Sequence, residues 1–165
     1  MKPMSVIVRT VSNMFTWFLM VFGAYVIVHG HLTPGGGFQG GAVVATGIAF
    51  LLVAQGGDRL LPWVRPLYLT FLESLGLLAF LALGFLGVRR AFFYNALANT
   101  GSFWFGQPTP LGANSGVLGT SGTIALMNLA VGLEVMAGLS MILLVMFKGI
   151  RLYETQGKGE AGHDR

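Results

Sequence analysis

Residues 124–147 read IALMNLAVGLEVMAGLSMILLVMF, an apolar run with one ionisable side chain, Glu134. Wound as an α-helix at about 1.5 Å per residue it is roughly 36 Å long, enough to cross a bilayer core of about 30 Å. Working outward, three more stretches approach or reach that length: about Val6 to His29, about Phe38 to Gln55 and about Tyr68 to Val88, the second being the shortest. The expected fold class is an all-α integral membrane protein with four transmembrane helices and a long outer loop between helices 3 and 4. Composition agrees. Hydrophobic residues make up 54% of the chain and charged ones 10%, whereas a soluble domain carries about a quarter charged residues to keep its surface wet.

The first apolar stretch follows Lys2 and Arg9, but it is longer than the apolar core of a signal peptide and lacks a small-residue cleavage site behind it, so a retained helix is expected. Residues 1–153 form one four-helix membrane domain in this reading, and 154–165 a polar, flexible tail. Lys and Arg collect on one side of the spans: Lys2 and Arg9, then Arg59 and Arg65, then Lys148, Arg151, Lys158 and Arg165. The other side has Arg89 and Arg90. Positive residues resist translocation, which places both termini in the cytoplasm and the chain in the cell membrane as a multi-pass protein. The same scatter of cations forms no continuous basic patch, so nucleic acid is not an expected partner. With no cysteine, disulfides, thiolate metal sites and iron–sulfur ligation are excluded.

Between the first two spans, residues 29–41 read HGHLTPGGGFQGG. The pattern G-x-G-x-x-G occurs formally at 35–40, but a dinucleotide fingerprint needs a strand before it and a helix after it. What these residues supply is a tight turn and close packing. Pro34 ends or starts a helix, and Gly35, Gly36 and Gly37 admit positive φ. Gly36 with Gly40, and Gly37 with Gly41, open the second helix with two small-xxx-small faces. Phe38 and Gln39 lie between them, and Gln39 is expected to hydrogen-bond across helices or to a broken backbone end. Pure packing and an ion or water path at a helix break are both compatible with this segment.

Two carboxylates fall within the spans, Glu73 and Glu134. A charge at bilayer depth costs several kcal/mol unless paired or solvated, so neither should face lipid. At 100° per residue Glu73 shares a stripe with Gly76, Gly84 and Gly87, and Glu134 with Ala130, Ala137 and Gly138, which suggests faces buried against other helices. No Lys or Arg of the chain lies at similar depth. Each glutamate is thus either neutral and hydrogen-bonded between helices, or meets a cation, a hydrated cavity or a basic residue of another subunit. His29 and His31 flank the outer end of the first span, where they can relay protons or make capping hydrogen bonds; two histidines with no third ligand nearby do not make an expected metal site. No catalytic residue and no bound cofactor is expected, since no nucleophile elbow is present. The outer connection from Arg89 to Thr123 contains Phe103-Trp104-Phe105 and Gln107-Pro108-Thr109-Pro110, which suits either a functional packed loop or an interfacial aromatic anchor.

The stretch HGHLTPGGGFQGG, the MKP start and the four-helix pattern resemble the B subunit of the multisubunit Mrp-type Na+/H+ antiporters. FLESLG at 71–76 and NLAVGLEV at 128–135 also look like this family, especially its members in Mrp-related membrane-bound respiratory complexes. The resemblance implies a small accessory membrane subunit that assembles with several others, the larger antiporter-like chains carrying the main proton channels, with Na+ or H+ as the transported ion. Its partners would be membrane subunits of an Mrp-type complex or of a membrane-bound hydrogenase-type or sulfur-reducing complex. The family motif covers His31, Pro34, Gly35, Gly36, Gly37, Phe38, Gly40 and Gly41, whereas Gln39 departs from the apolar residue expected in stand-alone antiporters. Glu134, Glu73, His31, His29 and Gln39 are the candidates for an ion path; a scaffold that conducts no ion is the alternative.

Overall fold

The computed structural model of the chain describes residues 3–32, 35–56, 65–112 and 117–160, side chains at 151 and 154–160 excepted. Pro34, Lys2, Arg59 and Arg165, all used in the sequence reading, lie outside the described residues. Among the described residues there are four long helices, one short 3-10 turn at Leu118–Thr120 and no strand. The helices are α1 (Val6–Val28), α2 (Gly36–Gln55), α3 (Pro66–Phe85) and α4 (Thr123–Glu160). Each is long and apolar enough to cross a membrane, α4 through its segment Thr123–Ile150.

Their ends follow local chemistry. Ser5 caps α1, its hydroxyl accepting from the Val8 amide at 3.4 Å, which satisfies one of the amides a helix start leaves unpaired. Pro66 opens α3, where its missing N–H costs nothing. Gly35, at φ 75°, makes the turn into α2, and Gly56, at φ 77°, ends that helix. The turn uses less glycine than the sequence suggests: Gly36 and Gly37 are helical, so α2 starts earlier than Phe38. The third helix stops at Phe85 rather than Val88, and the last runs beyond Tyr153 to Glu160, where polarity alone had suggested a flexible tail.

The helices stand in a row, α1 on α2, α2 on α4 and α4 on α3, with a lighter contact between α1 and α4. Thus α3 packs chiefly on α4 and not on α2, which precedes it in the chain. The two glycine faces of α2 explain this order. A Cβ on Gly40 would lie 2.6 Å from the Gly23 carbonyl and 2.5 Å from the Ile27 side chain of α1. On the other face, a Cβ on Gly41 would lie 2.7 Å from the Gly132 carbonyl of α4, and one on Gly37 would lie 2.8 Å from the Asn128 carbonyl. Gly36 closes the turn by stacking on the Cα of Gly30. At the opposite end Leu52, Leu69 and Leu144 bring α2, α3 and α4 together in a small apolar cluster, beside Ile48, Met141, Leu143 and Phe147.

The long connection between α3 and α4 is tied to the start of α4. The Asn95 carboxamide oxygen accepts from both the amide (2.7 Å) and the hydroxyl (3.0 Å) of Thr123, and its nitrogen donates to the Ser121 carbonyl. Gly122, at φ 59°, has the Asn95 amide directly over it, and its N–H donates to the Phe105 carbonyl at 2.8 Å. The packed-loop reading therefore describes this part, while Phe103 and Trp104, 78% and 71% exposed, stay available as interfacial side chains.

Gly40→Leu should separate α1 from α2 and lower the thermal stability of the detergent-solubilised protein by several degrees, since overpacking a tight contact costs about 1–3 kcal/mol or more. Gly149→Leu, where a Cβ meets nothing within 4 Å, should leave it unchanged. Asn95→Ala should cost about 1–2 kcal/mol and raise amide hydrogen exchange at Thr123 selectively.

Candidate functional site

Glu73 and Glu134 come to the same seam. The Glu73 Oε1 lies 3.3 Å from where a Cβ on Gly138 of α4 would stand, and a Cβ on Gly76 of α3 would lie 2.9 Å from both Cβ and N of Glu134. The two helices are antiparallel, each placing a glutamate against a glycine of the other, three or four residues from its own. By this register the carboxylates are offset by about one helical turn, roughly 6 Å along the axis. Glu134 stands about 16 Å from Thr123, near the middle of a bilayer core of about 30 Å. Both glutamates are partly buried. Among the described residues neither has a hydrogen bond, and neither pairs with a cation. The small residues expected beside Glu134 pack as the stripe implied, with Ala130 and Ala137 buried. The stripe expected with Glu73 splits: Gly76 meets α4, whereas Gly84 lies against Phe92 and Phe93, and Gly87, past the end of α3, against Tyr94 of the following loop.

The second polar cluster sits at the turn between α1 and α2. Both ring nitrogens of His31 are buried without a hydrogen-bond partner, as is the Asn128 side-chain nitrogen. The Asn128 amide lies over the turn, 2.7 Å from a Cβ position on Gly30. An apolar helix brings a lone amide to this spot because Gly37 lets α2 approach the Asn128 backbone. Asn128 was not singled out in the sequence, although a carboxamide inside an apolar span is itself a signal. His29 is separate in character: its Nδ1 is 3.1 Å from the Tyr25 carbonyl and its ring stacks on Tyr25 at 4.2 Å, so it is held by α1.

Gln39 does not bond across helices. It is exposed, its side chain resting against Gly35, and Phe38 is exposed as well. The reason is geometric: the Gly36/Gly40 and Gly37/Gly41 faces are taken by α1 and α4, and 100° steps put residues 38 and 39 on the remaining side. From the middle of the bundle to its other end the sequence reading also passed over polar groups between α1 and α2. Thr16 donates to the Gly47 carbonyl at 3.1 Å, Gln55 donates to the Asn13 carboxamide at 2.7 Å, and Arg9 buries its Nε without a partner.

Residues 7–141 match a family described as a domain related to the MnhB subunit of Na+/H+ antiporter. The chain belongs to this MnhB-related family. It is 36% identical over 124 residues to the uncharacterized protein MJ1307 of Methanocaldococcus jannaschii, a match covering 74% of this chain and 44% of that protein. It is also 36% identical over 61 residues to a Staphylococcus aureus protein named "Putative antiporter subunit mnhB2", covering 37% of this chain and 43% of that one. The chain thus spans less than half the length of the curated relatives it matches. The family match includes the glycine turn, Glu73 and Glu134, and with four helices able to span a bilayer it makes the chain a multi-pass membrane protein.

The two glycines of the glutamate seam should respond differently to a methyl group. Gly76→Ala meets backbone, the Ala130 carbonyl at 2.8 Å and the Glu134 nitrogen at 2.9 Å, and should destabilise the solubilised protein by about 1–3 kcal/mol. Gly138→Ala meets only the movable end of Glu73 and should stay within about 1 kcal/mol of the parent in thermal unfolding.

Proposed function

We propose that this chain is a membrane subunit of a multisubunit Na+/H+ antiporter-type complex, in which Glu73 and Glu134 border the path of a proton or Na+ ion along the α3–α4 seam. One observation carries the reading: two partly buried carboxylates share one helix seam at bilayer depth without a cationic partner among the described residues. Two carboxylates about a turn apart, one from each helix, present oxygen ligands along the seam to an ion or proton crossing at bilayer depth. His31 and Asn128, with buried unpaired nitrogens at the outer turn, supply polar groups where an ion or proton leaves the aqueous side. His29 and Gln39 fall outside this route. Both termini are assigned to the cytoplasmic side, a reading supported by Arg9, Arg65 and Lys148 at one end of the bundle.

The antiporter-type assembly is supported by membership of the MnhB-related family. Large exposed apolar faces, including Trp17 at 71% and Leu78 at 65%, leave room for neighbouring subunits as well as lipid. A second reading rests on the glycine contacts of α2, which suit a scaffold that aligns its neighbours and conducts nothing. Ion transport by the assembled complex separates the two. Glu134→Gln and Glu73→Gln should each lower Na+/H+ exchange by about tenfold or more with assembly intact, the double variant being no better than the worse single one. Unchanged exchange in a normally assembled double variant would leave the scaffold reading. Chains that co-purify in mild detergent test the assembly itself, and a hydrogenase-like large subunit among them would assign it to a redox-driven branch.

A further inference from the structure

Beside the glutamate seam, the same pair of helices carries a second feature facing the membrane. An open polar pocket of about 640 Å3 follows the end of α3, lined by Leu86, Arg89, Arg90, Tyr94, Asn99 and Thr100 among others. An apolar groove of about 530 Å3 runs between α3 and α4, lined by Leu75, Ala79, Leu83, Leu86, Leu129 and Leu133 among others. Leu86 borders both, so the basic pocket and the apolar groove adjoin at this residue. From Leu75 to Leu86 the groove covers about 16 Å of helix, close to half the bilayer core. That is one leaflet deep, with the charged end at the interface.

The charges at the pocket are unbalanced. Arg89 and Arg90 are both exposed, and residues 74–133 contain no acidic residue. Arg90 is held in place, donating to the Tyr94 hydroxyl at 2.6 Å with its guanidinium 5.1 Å from that ring's centroid. A fixed guanidinium beside a second arginine, with Asn99 and Thr100 on the rim, is suited to phosphate oxygens. Phe92, Phe93 and Trp104 nearby in the loop are exposed at the level where headgroups lie.

We infer that this composite surface binds one anionic phospholipid, its phosphate at Arg89 and Arg90 and an acyl chain in the groove between α3 and α4. A transmembrane helix of another subunit is the competing occupant, but it brings no phosphate to the two arginines. A lipid matches both ends of the surface at once. It also covers a flank of α3 that no described helix covers.

The test is native mass spectrometry of the full chain, in the assembly it retains in mild detergent, titrated with phosphatidylglycerol and separately with phosphatidylethanolamine. The parent should bind phosphatidylglycerol about tenfold or more tightly than phosphatidylethanolamine. Arg89→Gln with Arg90→Gln should weaken phosphatidylglycerol by about fivefold per arginine and phosphatidylethanolamine, whose own ammonium offsets its phosphate, by less. Ala79→Trp, which fills the groove, should weaken both. Equal binding of the two lipids by the parent, or undiminished phosphatidylglycerol binding by the arginine variant, overturns the proposal. So does efficient cross-linking of Ala79→Cys to another protein chain in native membranes, a readout that does not depend on the other variants folding.

Discussion

The close approach of α2 to two helices at once is the constraint on which the rest of this structure depends. In a bilayer no hydrophobic force draws apolar helices together, because lipid tails are as apolar as leucine; contact has to be gained through packing at short range. Gly36 and Gly40 let α2 meet α1, and Gly37 and Gly41 let it meet α4, with backbone carbonyls where side chains would ordinarily stand. Once both faces of α2 are taken, α3 is left with α4 as its main neighbour. The glutamate seam exists because of that displacement.

The seam has its own small-residue logic. Gly76 and Gly138 lie opposite the two glutamates, so each carboxylate-bearing side chain has a hollow in the facing helix. An ionisable group at this depth is expensive unless its environment compensates, which is why its position between helices rather than toward lipid matters. The loop between α3 and α4 contributes from the other end. Asn95 bonds the first residue of α4, and Phe92, Phe93 and Tyr94 fill the glycine side of α3, so α3 and α4 are joined at their loop end as well as along the seam.

Some of this was legible in the amino-acid order alone. Span number and approximate limits follow from length and hydropathy, and the two small faces of α2 follow from glycines four residues apart. The pairing of Glu73 with Gly76, and of Glu134 with Ala130, Ala137 and Gly138, follows from the helical period. Other features were not legible. Gln39 reads as an interhelical hydrogen-bonder until both neighbouring faces are seen to be occupied. Asn128 and His31 are remote in sequence, and only the approach of α2 to α4 gathers them at one turn. Polarity beyond Tyr153 suggested a loose tail, and the helical backbone of α4 continues to Glu160.

The sequence by itself determined that this is a four-span membrane protein with two intramembrane carboxylates and a glycine-built turn, because bilayer thickness and side-chain hydropathy act on each segment locally. Only the tertiary structure decided which helices are neighbours, and therefore that the two glutamates lie on one seam while Gln39 lies on none. Helix adjacency depends on which backbones can approach, a property of pairs of faces that no single segment contains.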